Sequence, residues 1–171
     1  MKTASFRIVP LPTEIADAAR RAVNAGSADH ALITVDSPGS SPCRHCLRNI
    51  GAGEELFVFA YRPFPELQPY AETGPIFLHK QPCKRYSADE VLPPVLTTST
   101  DFIVRGYGEN DRIVYGTGAV TPIEKIPAYA TELLARPGIA YVHVRSARNN
   151  CYQCRIDKVK APALAETGAF I

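Results

Sequence analysis

The chain reads as an α+β domain with a mostly antiparallel sheet, two helices and long proline-rich loops. Three observations predict this class. About seven to nine short β-rich runs stand against two helical patterns. No regular strand–helix alternation runs through the middle of the chain, as a doubly wound fold requires. The 15 prolines among 171 residues suit loops and edge strands better than buried parallel ones. The length fits one domain, placed over residues 1–160. Residues 161–171 are small and mixed and read as a loosely held tail.

Taken in order, Phe6 to Val9 alternates as a short strand. Thr13 is a suitable N-cap for a helix that Gly26 can close. Ile15, Ala18, Ala19, Ala22 and Val23 fall on its apolar face. Ala31 to Val35 is a second strand, and the turn-rich segment Asp36 to Pro42 leads to the first cysteine pair. Leu56 to Tyr61 reads as a buried strand. A proline-rich connection from Pro63 to Tyr70 precedes Gly74-Pro75 and the apolar run Ile76 to Leu78. Pro93-Pro94 marks another loop. Phe102–Arg105 and Arg112–Tyr115 read as a hairpin joined by a long loop. A second helix begins near Pro122 and ends near Arg136, with Pro127 either in its first turn or splitting it. Ile139–Val144 and Tyr152–Val159 are the last strands.

The hydrophobic share of 46% supports a core of ordinary size, and a net charge of +2 leaves no nucleic-acid footprint. Arg145, Arg148, Arg155, Lys158 and Lys160 form a weak basic cluster that suits solvated strand ends. No stretch approaches the roughly 18 apolar residues of a membrane span, and the N-terminal residues lack the apolar run of a signal peptide. These features predict a soluble cytoplasmic protein without membrane or nucleic-acid partners. Thiols in that compartment stay reduced, so the 5 cysteines read as ligands, nucleophiles or core residues before disulfides.

Four of them form two CxxC pairs, Cys43/Cys46 and Cys151/Cys154. Such pairs often build four-sulfur zinc sites. Tight CxxC turns favour a glycine or small residue near the second cysteine, whereas Leu47-Arg48 and Arg155-Ile156 stand there. Residues three apart on a regular strand also point to opposite faces, which separates Cys151 from Cys154. A mixed set of Cys43, Cys46, His79 and Cys83 supplies two ligand types at usable spacing, with His45 as an added candidate. If a metal binds, His79 or Cys83 is the expected companion of Cys43 and Cys46, ahead of Cys154. Zinc is the metal this donor set suits. Two other readings stand beside it. Arg44 and His45 between two thiols can stabilise a thiolate for redox work, although Gly51 and Gly53 cut short the helix that a thioredoxin-like site needs. Alternatively, the cysteines are packed hydrophobes in a non-catalytic interaction module.

Other polar residues lie in apolar settings. His143 alternates with Tyr141 and Arg145 on one strand face, which can line a pocket. Arg105 and Tyr107 end another strand beside Gly106 and Gly108, where glycine allows a ligand near the backbone. Arg105 can hold a carboxylate or phosphate. Tyr70 and Glu72 precede Gly74-Pro75 and can line the same cavity. There is no phosphate loop, nucleophile elbow or HExxH motif.

Pro42-Cys43-Arg44, Gly53-Glu54, Pro69-Tyr70, Gly74-Pro75-Ile76-Phe77, Arg105-Gly106-Tyr107, Tyr141-Val142-His143 and Cys151-Tyr152-Gln153-Cys154-Arg155 occur in that order. The set resembles the bacterial domain-of-unknown-function family 1203 from about Phe6 to Lys160. The resemblance implies a single domain and carries no activity. It implies that Cys46 and His79 are not regular family features, so that a metal site using them would mark a subgroup. It points to Cys43, Arg44, Tyr70, Arg105, Tyr107, His143 and Cys151 as one common pocket for a small ligand with an anionic group.

Overall fold

The computed structural model describes residues 6–26, 30–34, 41–88 and 91–159. The elements are β1 (Phe6–Val9), α1 (Thr13–Asn24), β2 (His30–Thr34), β3 (Glu55–Tyr61), β4 (Gly74–His79), β5 (Asp101–Tyr107), β6 (Ala119–Pro122), α2 (Ile126–Ala135), β7 (Tyr141–Ser146) and β8 (Tyr152–Lys158). Five strands form one sheet in the order β1-β8-β7-β5-β6, and three form another in the order β2-β3-β4. Every pairing between these strands is antiparallel. The α+β class and the two helices follow the sequence reading. The segment 161–171 lies outside the described residues.

Period-two alternation builds the larger sheet. Phe102 and Val104 of β5, Val142 and Val144 of β7, Cys154 and Ile156 of β8, and Phe6 and Ile8 of β1 face one side. Helix α2 covers that side with Ile126, Ala130, Leu133 and Leu134. Pro127 sits at the start of α2, where a missing N–H costs nothing. The opposite side carries Arg105, Tyr107, Tyr141, His143, Arg145 and Tyr152. A register shift between Val144 and Arg145 sets Arg145 opposite Tyr152. The smaller sheet packs Leu56, Phe57, Phe59, Ile76 and Leu78 with Ala16 and Ala19 of α1 in a second core cluster.

Several sequence expectations are corrected. Thr13 is the first helical residue and Pro12 the cap position, with no capping side chain. The Thr13 hydroxyl lies instead 3.0 Å from His45 Nε2. The buried line of α1 is Ala16, Ala19 and Arg20, flanked by partly buried Ile15 and Val23, whereas Ala18 is exposed. The helix is rotated because Arg20 is drawn inward to partners described below.

The partner of β5 is β6, with Phe102 opposite Thr121, and not Arg112–Tyr115. Those residues make only an isolated bridge between Ile113 and Tyr107. Thr117 explains the difference. Its hydroxyl accepts from Gly106 N at 3.0 Å and donates to Val114 O at 2.6 Å, standing in for the one ladder bond between them, while Val114 N still donates to Gly106 O at 3.0 Å. A Cβ on Gly106 would lie 3.2 Å from Thr117 Oγ1 and from Ile139 Cδ1. The glycine therefore admits protein side chains and not a ligand. The segment after Pro93 is a one-turn 3-10 helix over Pro94–Thr98, which buries Val95 and Leu96.

Candidate metal centre

The first cysteine pair lies in a turn between the two core clusters. Cys43 forms a single parallel bridge with Phe77 of β4, and Arg44 N donates to Phe77 O at 3.1 Å. Cys43 O accepts from Leu47 N at 3.0 Å, and Cys43 N donates to Arg48 O at 2.9 Å. The chain between them folds back tightly, so both sulfurs point to one side. Leu47 makes this possible by adopting φ 51°, the left-handed conformation usual for glycine. Its side chain is fully buried in the cluster beneath α2. The expectation that the flanks oppose a tight turn is overturned here, because burial of the leucine offsets the backbone strain.

Four side chains meet at this turn. One ligand atom each from Cys43, Cys46, His79 and Cys83 lies within 4.8 Å of all the others. Cys43 Sγ is 3.9 Å from Cys83 Sγ, and Cys46 Sγ is 3.6 Å from His79 Nδ1. Donors of one tetrahedral zinc stand roughly 3.3–4 Å apart, given bonds of about 2.0–2.3 Å. Cys43 and Cys46 come from the turn and His79 from the end of β4. Cys83 follows after Lys80-Gln81-Pro82. All five cysteines are free thiols.

The neighbours of the four complete the arrangement. Glu54 Oε2 lies 3.8 Å from His79 Nε2, on the ring side away from the sulfurs. That oxygen also accepts from Gly51 N at 2.6 Å, so it adds a nearby negative charge to the ring without a direct hydrogen bond. Arg20 donates from Nη2 to Cys83 Sγ at 3.4 Å and from Nε to His79 O at 3.3 Å. Asp17 holds Arg20 Nη1 at 2.9 Å. His45 Nδ1 stands 3.3 Å from Cys83 Sγ while its Nε2 meets Thr13. Both nitrogens of His45 are engaged at the edge of the group, and it is a neighbour of the four rather than one of them.

The donors do not titrate alike. Hydrogen bonds from Cys46, then from Cys83, hold the Cys43 thiol well below its ordinary range. The same contacts with Cys43 and Cys46 push the Cys83 thiol up. Hydrogen bonds to Cys43, then to Cys46, raise His79 to about 10.

The second cysteine pair is not part of this group. Cys154 is buried among the residues beneath α2, and that burial raises its thiol to about 12. Cys151 precedes β8, with its sulfur 3.7 Å from Asn149 O. The four-sulfur arrangement of the two CxxC pairs is therefore absent.

The residues read as one common pocket are distributed over several places. Cys43 belongs to the sulfur cluster. Arg44 is buried, donating from Nε to Tyr152 O at 2.6 Å and from Nη1 to Pro42 O, and thus ties the CxxC turn to β8. Burial lowers its pKa to about 10. Tyr107 and His143 share an aromatic cage with Phe64, Tyr141 and Tyr152, every ring within 5.3 Å of His143 by centroid. Burial, reinforced by Arg145, holds the pKa of His143 well down. Arg105 Nη1 is 3.7 Å from Glu72 Oε1, and Arg145 Nη1 is 2.8 Å from Glu72 Oε2. Cys151 lines a cavity with Glu72 and Arg145. Tyr70 turns elsewhere, its hydroxyl 3.0 Å from that of Tyr115. Sequence reasoning passed over Arg20 and Glu54. Arg20 and Arg21 are adjacent in α1, and nothing local told which of the two would turn inward. Glu54 stood in the Gly53-Glu54 motif of the family resemblance, with no role attached to it.

A family model described as protein of unknown function (DUF1203) matches residues 40–158. The matched segment includes all four members of the sulfur–imidazole group and leaves out α1. No curated protein and no solved structure gives a match. Among the described residues, no helix is long and apolar enough to cross a membrane. The chain belongs to the DUF1203 family.

Proposed function

We propose that this member of the family is a zinc-binding protein whose metal has a structural role, with Cys43, Cys46, His79 and Cys83 as its ligands. The single observation that carries the reading is the convergence of three sulfurs and one imidazole nitrogen within 4.8 Å. Three thiolates and one imidazole suit zinc, and four protein ligands leave no open position for substrate, which is the pattern of structural sites. Three thiolates around a divalent ion carry one excess negative charge. Arg20, itself paired with Asp17, donates to the Cys83 sulfur and so eases that charge locally, and Glu54 stands 3.8 Å behind the His79 ring. The metal would join the CxxC turn, the end of β4 and the segment around Cys83, none of which is fastened to the others by a regular ladder.

Elemental analysis of protein purified without chelator tests this reading, with about one zinc per chain expected. Cys46→Ala and His79→Ala should each lower that stoichiometry and reduce thermal stability. A loss of about 3 kcal/mol would move Tm by roughly 6–12 °C in a chain of this size. Cys151→Ser should retain the metal. Protein that contains no metal after growth in zinc, and whose Cys43 and Cys46 form a reversible disulfide, would turn the reading towards thiol redox work. Metal that survives both ligand substitutions would remove it.

A further inference from the structure

We propose that the face of the larger sheet opposite α2 holds a second site, which binds a small carboxylate through the Nε/Nη2 edge of Arg145 and is bordered in the free protein by the carboxylate of Glu72 on Nη1. The proposal uses different residues from the metal reading and stands without it. A cavity of about 220 Å³ opens there, lined by Tyr61, Glu72, Arg145, Asn150, Cys151 and Tyr152 among others. A water's share of liquid volume is about 30 Å³, so the space suits a small metabolite rather than a nucleotide.

Arg145 carries the argument. Its side chain is only 4% exposed. Nη1 is used twice, at 2.8 Å from Glu72 Oε2 and in a 3.0 Å bond to Asn150 O. Nε and Nη2 are buried without a hydrogen-bond partner. Those two nitrogens form one edge of the guanidinium, and their parallel N–H groups match the two oxygens of a carboxylate. Buried charged donors are rarely left unpaired in a protein that has no use for them. Both ring nitrogens of His143 and the hydroxyl of Tyr107 are also buried and unpartnered on this face.

Charge and position identify the ligand class. Glu72 is the carboxylate held between Arg105 and Arg145, so one negative charge faces two positive ones. It lies on Nη1 beside the open Nε/Nη2 edge, and its own Oε2 is buried without a hydrogen-bond partner, so this charge contact leaves both groups short of partners. Glu72 stands on the loop before β4 with its side chain 41% exposed, whereas Arg145 is fixed in β7. Two carboxylates on one guanidinium repel each other, so an incoming ligand expels Glu72 towards solvent. No lysine and no glycine-rich loop lines the cavity, which favours a carboxylate over a phosphate.

The test is a titration of the full isotope-labelled chain with sodium succinate. Sodium phosphate and sodium chloride at equal ionic strength serve as comparisons, and the arginine Nε–H resonances are the readout. Succinate should shift the Arg145 resonance saturably and chloride should not. Binding should weaken by about tenfold or more in Arg145→Lys and in the more exposed Arg105→Gln. It should tighten by about threefold or more in Glu72→Gln, because the internal competitor loses its charge. Four outcomes overturn the proposal: no saturable shift, a shift unchanged in Arg105→Gln, binding of phosphate without succinate, or binding that is unchanged or weaker in Glu72→Gln.

Discussion

Leu47 shows how one residue lets the CxxC turn form. Its left-handed backbone costs roughly 1–2 kcal/mol relative to glycine, while its buried side chain contributes several times that. The two terms separate by substitution. Leu47→Ala should lose about 2–5 kcal/mol from the vacated core. Leu47→Gly loses the same contacts but relieves the backbone, so it should be as stable as Leu47→Ala or more so. In an ordinary helix or strand the order is the reverse. Urea unfolding of both variants decides it, and a glycine variant clearly weaker than the alanine one would refute the strain argument.

His143 makes a pH prediction at the same scale. Its folded pKa is depressed by burial and then by Arg145, Arg155 and Arg105. The unfolded chain takes up a proton near pH 6.5 while the folded chain does not. Unfolded molecules thus bind more protons below that pH, and stability falls as pH drops. The stabilising contribution is whole above about pH 6.5 and declines by up to about 1.4 kcal/mol per unit below it. His143→Phe keeps an aromatic ring in the cage and removes the titration. Between pH 6.5 and 5.5 its stability should fall less than that of the parent by about 1 kcal/mol. Equal slopes in denaturant titrations would show that the ring is protonated in the folded chain.

At the scale of elements, α1 is set by what it meets rather than by its most apolar stripe. Ala18 was counted on the apolar face, yet it is exposed while Arg20 is buried. The reason is that Arg20 Nε and Nη2 reach the His79 carbonyl and the Cys83 sulfur. Ala18→Gln should therefore leave stability within about 0.5 kcal/mol of the parent. Arg20→Met keeps the packed stem and removes the donors, and should weaken zinc affinity by roughly 10–100-fold. Competition with a chromophoric chelator measures this, and unchanged affinity would make Arg20 a packing residue only.

For the whole molecule, two core clusters predict two levels of stability. The group of Cys43, Cys46, His79 and Cys83 adjoins the cluster of the smaller sheet and α1, while the larger sheet is closed by α2. Leu47 in one cluster and Cys46 in the other join them across a single peptide bond. On the zinc reading, treatment with a chelator should speed amide exchange in α1, β3 and β4 well before β5, β7 and β8. Uniform acceleration across both sheets would mean that the molecule opens as one unit.

Much of the fold was legible because it rests on local rules. Alternation and short apolar runs marked β1, β3, β4, β5, β7 and β8, whereas the second helix, expected from about Pro122, begins at Ile126 because residues 123–125 form a separate 3-10 turn before Pro127. Where a side chain took over a backbone role, the local rules failed: Thr117 satisfied Gly106 and displaced the expected hairpin to β6. The set of Cys43, Cys46, His79 and Cys83 was legible because loop flexibility favoured it over a cysteine held in a strand. What tertiary structure decided was everything that depends on contacts distant in the chain. Arg20 and Glu54 came to border the sulfur–imidazole group, Arg44 became a tie to β8, and Tyr70 parted from His143. Residue type and spacing determine which chemistry a chain can offer. The packing of the two sheets determines which of those groups come within a few ångströms of one another, because that distance is set by elements far apart in sequence.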